Sequence, residues 1–190
     1  MKLSVYLPDT FKVTQEQFEQ LVWANQNILM ERAADGALII MSPTGGTTGK
    51  RNAGLIAQLW NWNQATQLGE VFDSSTIFRL PNSADRSPNA AWVSAARWNA
   101  LTPEEQDGFP PLCPDFIIEL RSKTDSLKEL QDKMQEYIDN GCRFGWLINP
   151  QNRQVGIYRP GQAVETLQSP QTLSGEDLLP GFVFDTSQLF

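Results

Sequence analysis

The stretch Asp115-Phe116-Ile117-Ile118-Glu119-Leu120-Arg121 governs how the chain is read. Its β-branched and aromatic residues, in a run too short for a helix, spell a β-strand. Alternate side chains of a strand share a face, so Asp115, Ile117, Glu119 and Arg121 point one way. Phe116, Ile118 and Leu120 point the other, toward a core. Glu119 thus stands in the middle of an apolar run, where an unpaired carboxylate is strongly penalised. Something cationic must neutralise it: Arg121, a lysine from a neighbouring helix, or a metal ion. A plain buried ion pair meets the same requirement.

The next segment downstream supplies a cation. From about Asp125 to Asn140, Leu127, Leu130, Met134, Tyr137 and Ile138 keep the helical period, and Gly141 stands at the C′ position. Lys133 lies at the border of that stripe, one turn before Tyr137. A lysine there can lay its stem on the core while its ammonium reaches a sheet-borne carboxylate, although an ordinary flanking lysine has the same spacing. Beyond the helix, 144–148 and 154–158 form a hairpin around Asn149-Pro150-Gln151-Asn152. One more strand is expected at 163–167. Leu178, Leu179, Phe182, Phe184 and Phe190 make the tail apolar enough to dock.

Upstream, Thr14 and Gln17 form a capping box ahead of Phe18, Leu21 and Val22, which predicts a short amphipathic helix. The runs 28–32 and 37–41 flank Asp35-Gly36, a dipeptide suited to a type I′ hairpin turn. A loop, 42–50, then leads into a helix carrying Leu55, Ile56, Leu59 and Trp62. That loop is rich in glycine and ends in Gly49-Lys50. It fails as a phosphate-binding P-loop, because the first required glycine falls on Thr44 and Arg51 replaces the Ser or Thr that would bind magnesium. Strand-like runs follow at 70–72 and 76–80, then a turn at 81–85. The second half of 86–93 reads as a strand, and 94–114 is loop-rich with a helical start at Thr102-Pro103. No repeat or linker interrupts the order. The expectation is one domain over 1–190, a mixed α/β (α+β) fold with a central mixed β-sheet flanked by helices.

Composition narrows the chemistry. The chain of 190 residues has no histidine, which removes Ser-His-Asp and Cys-His catalysis and His-ligated zinc or haem. Its two cysteines, Cys113 and Cys142, lie outside any metal-binding spacing and read as reduced core thiols. Any reaction must run on carboxylates, lysine, arginine, hydroxyls, tyrosine or an oxygen-bound metal. A net charge of −7 argues against bulk attraction to DNA or to an anionic membrane, while leaving room for a local basic patch. No apolar run approaches the ~20 residues that span a bilayer, and Met1-Lys2-Leu3-Ser4 lacks the stretch of a signal peptide. A cytoplasmic protein is expected.

Several stretches, taken in order, resemble the restriction-endonuclease-like family of the Uma-two type, within the PD-(D/E)XK nuclease superfamily. They are Glu31 with Asp35-Gly36-Ala37-Leu38, Arg86-Ser87-Pro88-Asn89 and Pro114 through Glu119. Asp132-Lys133-Met134-Gln135-Glu136-Tyr137, Asn140-Gly141 and Gly145-Trp146-Leu147-Ile148-Asn149-Pro150 follow. The resemblance implies a metal-dependent DNA endonuclease using magnesium or manganese. By position, Asn89 falls where the family usually has the first acidic metal ligand. Glu119 falls on the second, and the Leu120 carbonyl on a further one. Arg121 occupies the place of the motif lysine, whose role passes to Lys133 on the helix. Glu31 matches an upstream glutamate of the acidic cluster, and Asp115 is a further candidate metal ligand. Double-stranded DNA is the implied substrate and a homodimer the expected assembly, the latter also suggested by six tryptophans and ten phenylalanines. Asn89 keeps an oxygen donor but removes a charge. The alternative is therefore a lapsed nuclease-fold protein that binds DNA or a protein partner.

Overall fold

The computed structural model describes residues 10–190; the opening Met1-Lys2-Leu3-Ser4 lies outside the described residues. In chain order the elements are α1 (Gln15–Ala24), β1 (Met30–Arg32), β2 (Leu38–Ile40), α2 (Gly46–Thr66), β3 (Gly69–Asp73), β4 (Phe78–Arg79) and β5 (Asp85–Arg86). Then come β6 (Ala90–Ser94), α3 (Ala95–Trp98), α4 (Pro103–Asp107), β7 (Phe116–Leu120), α5 (Leu127–Asp139), β8 (Phe144–Asn149) and β9 (Gln154–Tyr158). The chain closes with β10 (Glu165–Gln168), β11 (Thr172–Ser174) and β12 (Val183–Asp185).

Six strands form the main sheet in the order β10-β9-β8-β7-β6-β3. Every neighbouring pair is antiparallel except β7 and β8, which run parallel because α5 carries the chain back between them. This is the expected mixed α/β architecture with a mixed sheet flanked by helices. The strand 116–120 is buried along its whole length, so Ile117 is as enclosed as Phe116 and Ile118. Both faces of the sheet are covered, where the alternation alone had assigned only one to a core. On one face Phe116, Ile118, Leu120, Trp146 and Phe182 pack under α2 residues Leu55 and Leu59. On the other, Ile117, Ala91 and Leu147 meet Met134 and Tyr137 of α5.

A second sheet, ordered β2-β1-β5-β4, stands beside the first. β4 lies within the strand-like run 76–80, whereas β5, also two residues and too short to show a period, begins inside the expected turn 81–85. Two further expectations are corrected. The 30–40 hairpin does not close through a type I′ turn: only Gly36 has a positive φ, +91°, while the Ala33 carbonyl accepts from Gly36 N–H at 2.9 Å. The Asp35 side chain accepts from Ala37 N–H instead, stabilising the longer loop. The glycine-rich loop is shorter than expected, since Gly46 to Lys50 already form the first turns of α2. The tail docks as expected but also pairs β11 with β12, burying Leu173 and Phe184.

Two glycines permit close approaches between elements. A β-carbon on Gly145 would lie 2.8 Å from Met134 Cε, so its absence lets α5 settle close on β8. Gly69 allows β3 to cross Trp92, whose indole N–H donates to Asn63 Oδ1 at 2.9 Å.

Candidate active site

Glu119 is the fourth residue of β7, and its side chain leaves the sheet on the α5 side with Ile117. Helix α5 begins at its N-cap Ser126, whose hydroxyl accepts from Glu129 N–H. Its helical period then places Lys133 and Tyr137 one above the other, facing that carboxylate. Lys133 Nζ stands 2.9 Å from Glu119 Oε1 and 2.6 Å from Glu31 Oε1. The Tyr137 hydroxyl donates to Glu119 Oε1 at 3.3 Å. The side chains of Glu31 and Glu119 are 3% and 4% exposed, so one ammonium serves two carboxylates almost out of water.

Glu31 comes from the second sheet. The β1–β5 register opposes Arg32 to Asp85 and thereby sets Glu31 across from Arg86. Glu31 Oε1 also accepts from Ser87 N–H at 2.9 Å, and Oε2 lies 3.2 Å from Arg86 Nη1. Arg86 Nε donates to Glu136 Oε2 of α5 at 2.6 Å. On the opposite face of the same small sheet, Asp85 pairs with Arg79 at 2.9 Å and Arg32 at 3.7 Å. The sheet thus carries an ion network on each face.

The two glutamates are driven apart in acidity. Burial is the strongest influence on Glu31 and pushes it up, but Lys133, Arg86 and the hydrogen bonds together outweigh it, so it titrates below an ordinary glutamate. At Glu119 burial, aided by the nearby Glu31 charge, outweighs Lys133 and holds the carboxyl above the ordinary value. Burial lowers Lys133, yet the two carboxylates overcome it and keep the ammonium protonated above its usual range.

The other anticipated residues divide. Asn89 is brought to the site: its Oδ1 accepts from Leu120 N–H at 2.8 Å. Extending the β6–β7 register from Ala90 opposite Ile118 sets Pro88 against Leu120, and proline has no N–H to offer the Leu120 carbonyl. The ladder ends there, with amide oxygen, strand carbonyl and Glu119 at one strand end. Asp115 is at the other end of the strand, about 13 Å away along four residues. Its Oδ2 accepts from Ser94 N–H at 2.9 Å, and its Oδ1 lies 3.0 Å from Arg97 and 3.8 Å from Arg143. It therefore braces β7 against α3 rather than joining Glu119. Arg121 also turns away, donating from Nε to the Asp125 carbonyl and from Nη1 to Asn149 Oδ1. Its guanidinium ties the β7–α5 loop to β8. Sequence reading missed Arg86, Ser87, Glu136 and the Tyr137 hydroxyl as parts of this cluster. A basic residue two places before Pro88 was the available signal for Arg86.

Among the described residues, no group of three or more His, Cys, Asp or Glu side chains stands close enough to hold a metal ion. The Glu119 carboxylate, Asn89 Oδ1 and the Leu120 carbonyl are nonetheless all oxygen donors, the kind that magnesium and manganese take, often with several waters retained. They fit a hard divalent ion by donor type, with a single formal charge among them.

The chain belongs to the Uma2 family, described as "Putative restriction endonuclease", whose model matches residues 15–187. In fold it is similar to a crystal structure from Anabaena variabilis ATCC 29413 described as "a putative nuclease belonging to DUF820", with a TM-score of 0.67 and 19% identity. The likeness covers 79% of this chain and 82% of that one. No curated protein matches the chain. No helix among the described residues is long and apolar enough to cross a membrane.

Proposed function

We propose that this chain is a magnesium- or manganese-dependent endonuclease that hydrolyses phosphodiester bonds of double-stranded DNA. The observation that carries the reading is the Lys133 ammonium, buried between Glu119 at 2.9 Å and Glu31 at 2.6 Å. A buried pair of acids about one lysine is costly as mere structure and suits a site that must handle phosphate charge. Glu119, Asn89 Oδ1 and the Leu120 carbonyl would hold the ion. When bound it supplies Lewis acidity and a water of lowered pKa. Lys133 then faces the developing charge of the phosphate and orients the attacking water. Tyr137 steadies Glu119 through its hydroxyl, and Glu31 steadies Lys133.

The test is plasmid cleavage with each divalent ion, for the natural protein and for Glu119→Gln. Cleavage that needs the ion and falls by about a hundredfold or more on substitution supports the reading. Ion-independent or unaffected cleavage overturns it.

One observation favours a second reading, a lapsed enzyme that binds DNA or a protein. Asn89 brings no charge, and its oxygen already accepts from Leu120 N–H. If cleavage arises only in Asn89→Asp, the natural protein no longer cuts. We further read residues 1–190 as one domain acting as a homodimer in the cytoplasm. The two buried free thiols, Cys113 and Cys142, support a reducing compartment.

A further inference from the structure

We propose that Arg86 is a positioning residue for Lys133, acting through Glu31, and that Glu31 is the anchor of that lysine rather than a metal ligand. This inference rests on the nuclease reading above. Three donors converge on the Glu31 carboxylate: Lys133 and the Ser87 amide on Oε1, Arg86 on Oε2. Two of them are cations, so the charge of Glu31 is already answered by protein groups. To bind a divalent ion it would have to surrender a hydrogen bond from a fixed backbone amide and its share of both cations.

Arg86 ties this carboxylate to the helix that carries the lysine. Its Nε donates to Glu136 Oε2 at 2.6 Å, and Glu136 is one turn beyond Lys133 on α5. The other Glu136 oxygen accepts from Asn82 Nδ2 at 2.9 Å, and the Asn140 side chain accepts from Asn82 N–H at 2.8 Å. The β4–β5 turn, Arg86 and α5 thereby form one braced unit. Within it Arg86 takes up part of the negative charge of Glu31. Lys133 is left shared between Glu31 and Glu119 instead of being drawn wholly to the former, and the shared position is the one that faces a phosphate.

The experiment measures kcat and KM for plasmid cleavage, manganese affinity by calorimetry, and Tm, in Arg86→Gln, Arg86→Lys, Glu136→Gln and Glu31→Gln. Arg86→Gln is expected to lower kcat by about a hundredfold, the scale of a misplaced catalytic group, with KM near the natural value. Manganese affinity should hold or tighten, because the site has become more negative. Arg86→Lys should recover part of kcat, and Glu136→Gln should show the same pattern more weakly. Glu31→Gln should lower kcat with manganese affinity near the natural value. A loss of metal affinity of about tenfold or more in Glu31→Gln would make Glu31 a ligand and overturn the proposal. So would natural kcat in Arg86→Gln, or parallel losses of kcat, affinity and Tm there with none in Glu136→Gln. Natural protein that neither cuts DNA nor binds manganese would overturn the nuclease reading itself, and that result appears before any substitution is made.

Discussion

Lys133 holds the site together electrically, and its removal is expected to cost more than activity. Lys133→Ala leaves Glu31 and Glu119 facing each other with one cation fewer, and breaking a buried ion pair typically costs on the order of 3–5 kcal/mol. Urea unfolding at neutral pH should show this loss, and Lys133→Ala, Glu119→Gln should recover part of it. The acidities of the two glutamates predict opposite pH dependences. Glu31 is depressed in the folded state, so it contributes stability above the ordinary glutamate value of about 4.3 that disappears as pH falls through its folded value. Glu119 is raised, so its contribution is present at low pH and lost as pH climbs from that ordinary value through the folded one. Unfolding measured across acidic pH should therefore show Glu31→Gln losing part of the acid-side decline. Glu119→Gln should instead weaken the protein less at neutral pH than at pH 4.

At the level of elements, what the sequence revealed depended on length and period. β7, α5, β8 and β9 were legible because each shows several apolar residues at a clear spacing, and Lys133 stood visibly at the edge of a stripe. The capping box at Thr14 was equally legible, and Gln17 N–H and Oε1 complete it at 3.2 and 2.9 Å. β5 was not legible, since two residues cannot display alternation. Arg86 therefore falls outside the readable strands although it stands across from Glu31. Tyr137 was counted only as an apolar stripe residue, because spacing cannot say where a hydroxyl points. Asp115 and Arg121 looked like neighbours of Glu119 by alternation, yet their own partners, Arg97 and Asn149, come from segments distant in sequence. Gly145→Ala tests the seating of α5. Its new methyl meets the flexible end of Met134, and crowding of this kind costs about 1–3 kcal/mol. Tm should fall accordingly, and cleavage should fall with it as Lys133 is pushed from Glu119.

Across the whole molecule, the tail belongs to the core rather than the periphery. Leu173, Leu179, Phe182, Phe184 and Leu189 are all buried beneath α2, and Phe182 stacks on Trp146 at 5.9 Å. Because large-to-small changes at such positions cost several kcal/mol each, a chain ending at Ser169 is expected to lose cooperative thermal unfolding. Circular dichroism during a melt would show a broad slope in place of a transition. The contact between Glu31 and Lys133 spans 102 positions of sequence. During translation both acids leave the ribosome before their cation does, and the last packing strands emerge later still. A nascent polypeptide stalled before β11 thus carries both acids and their lysine without the residues that close the core beneath α2.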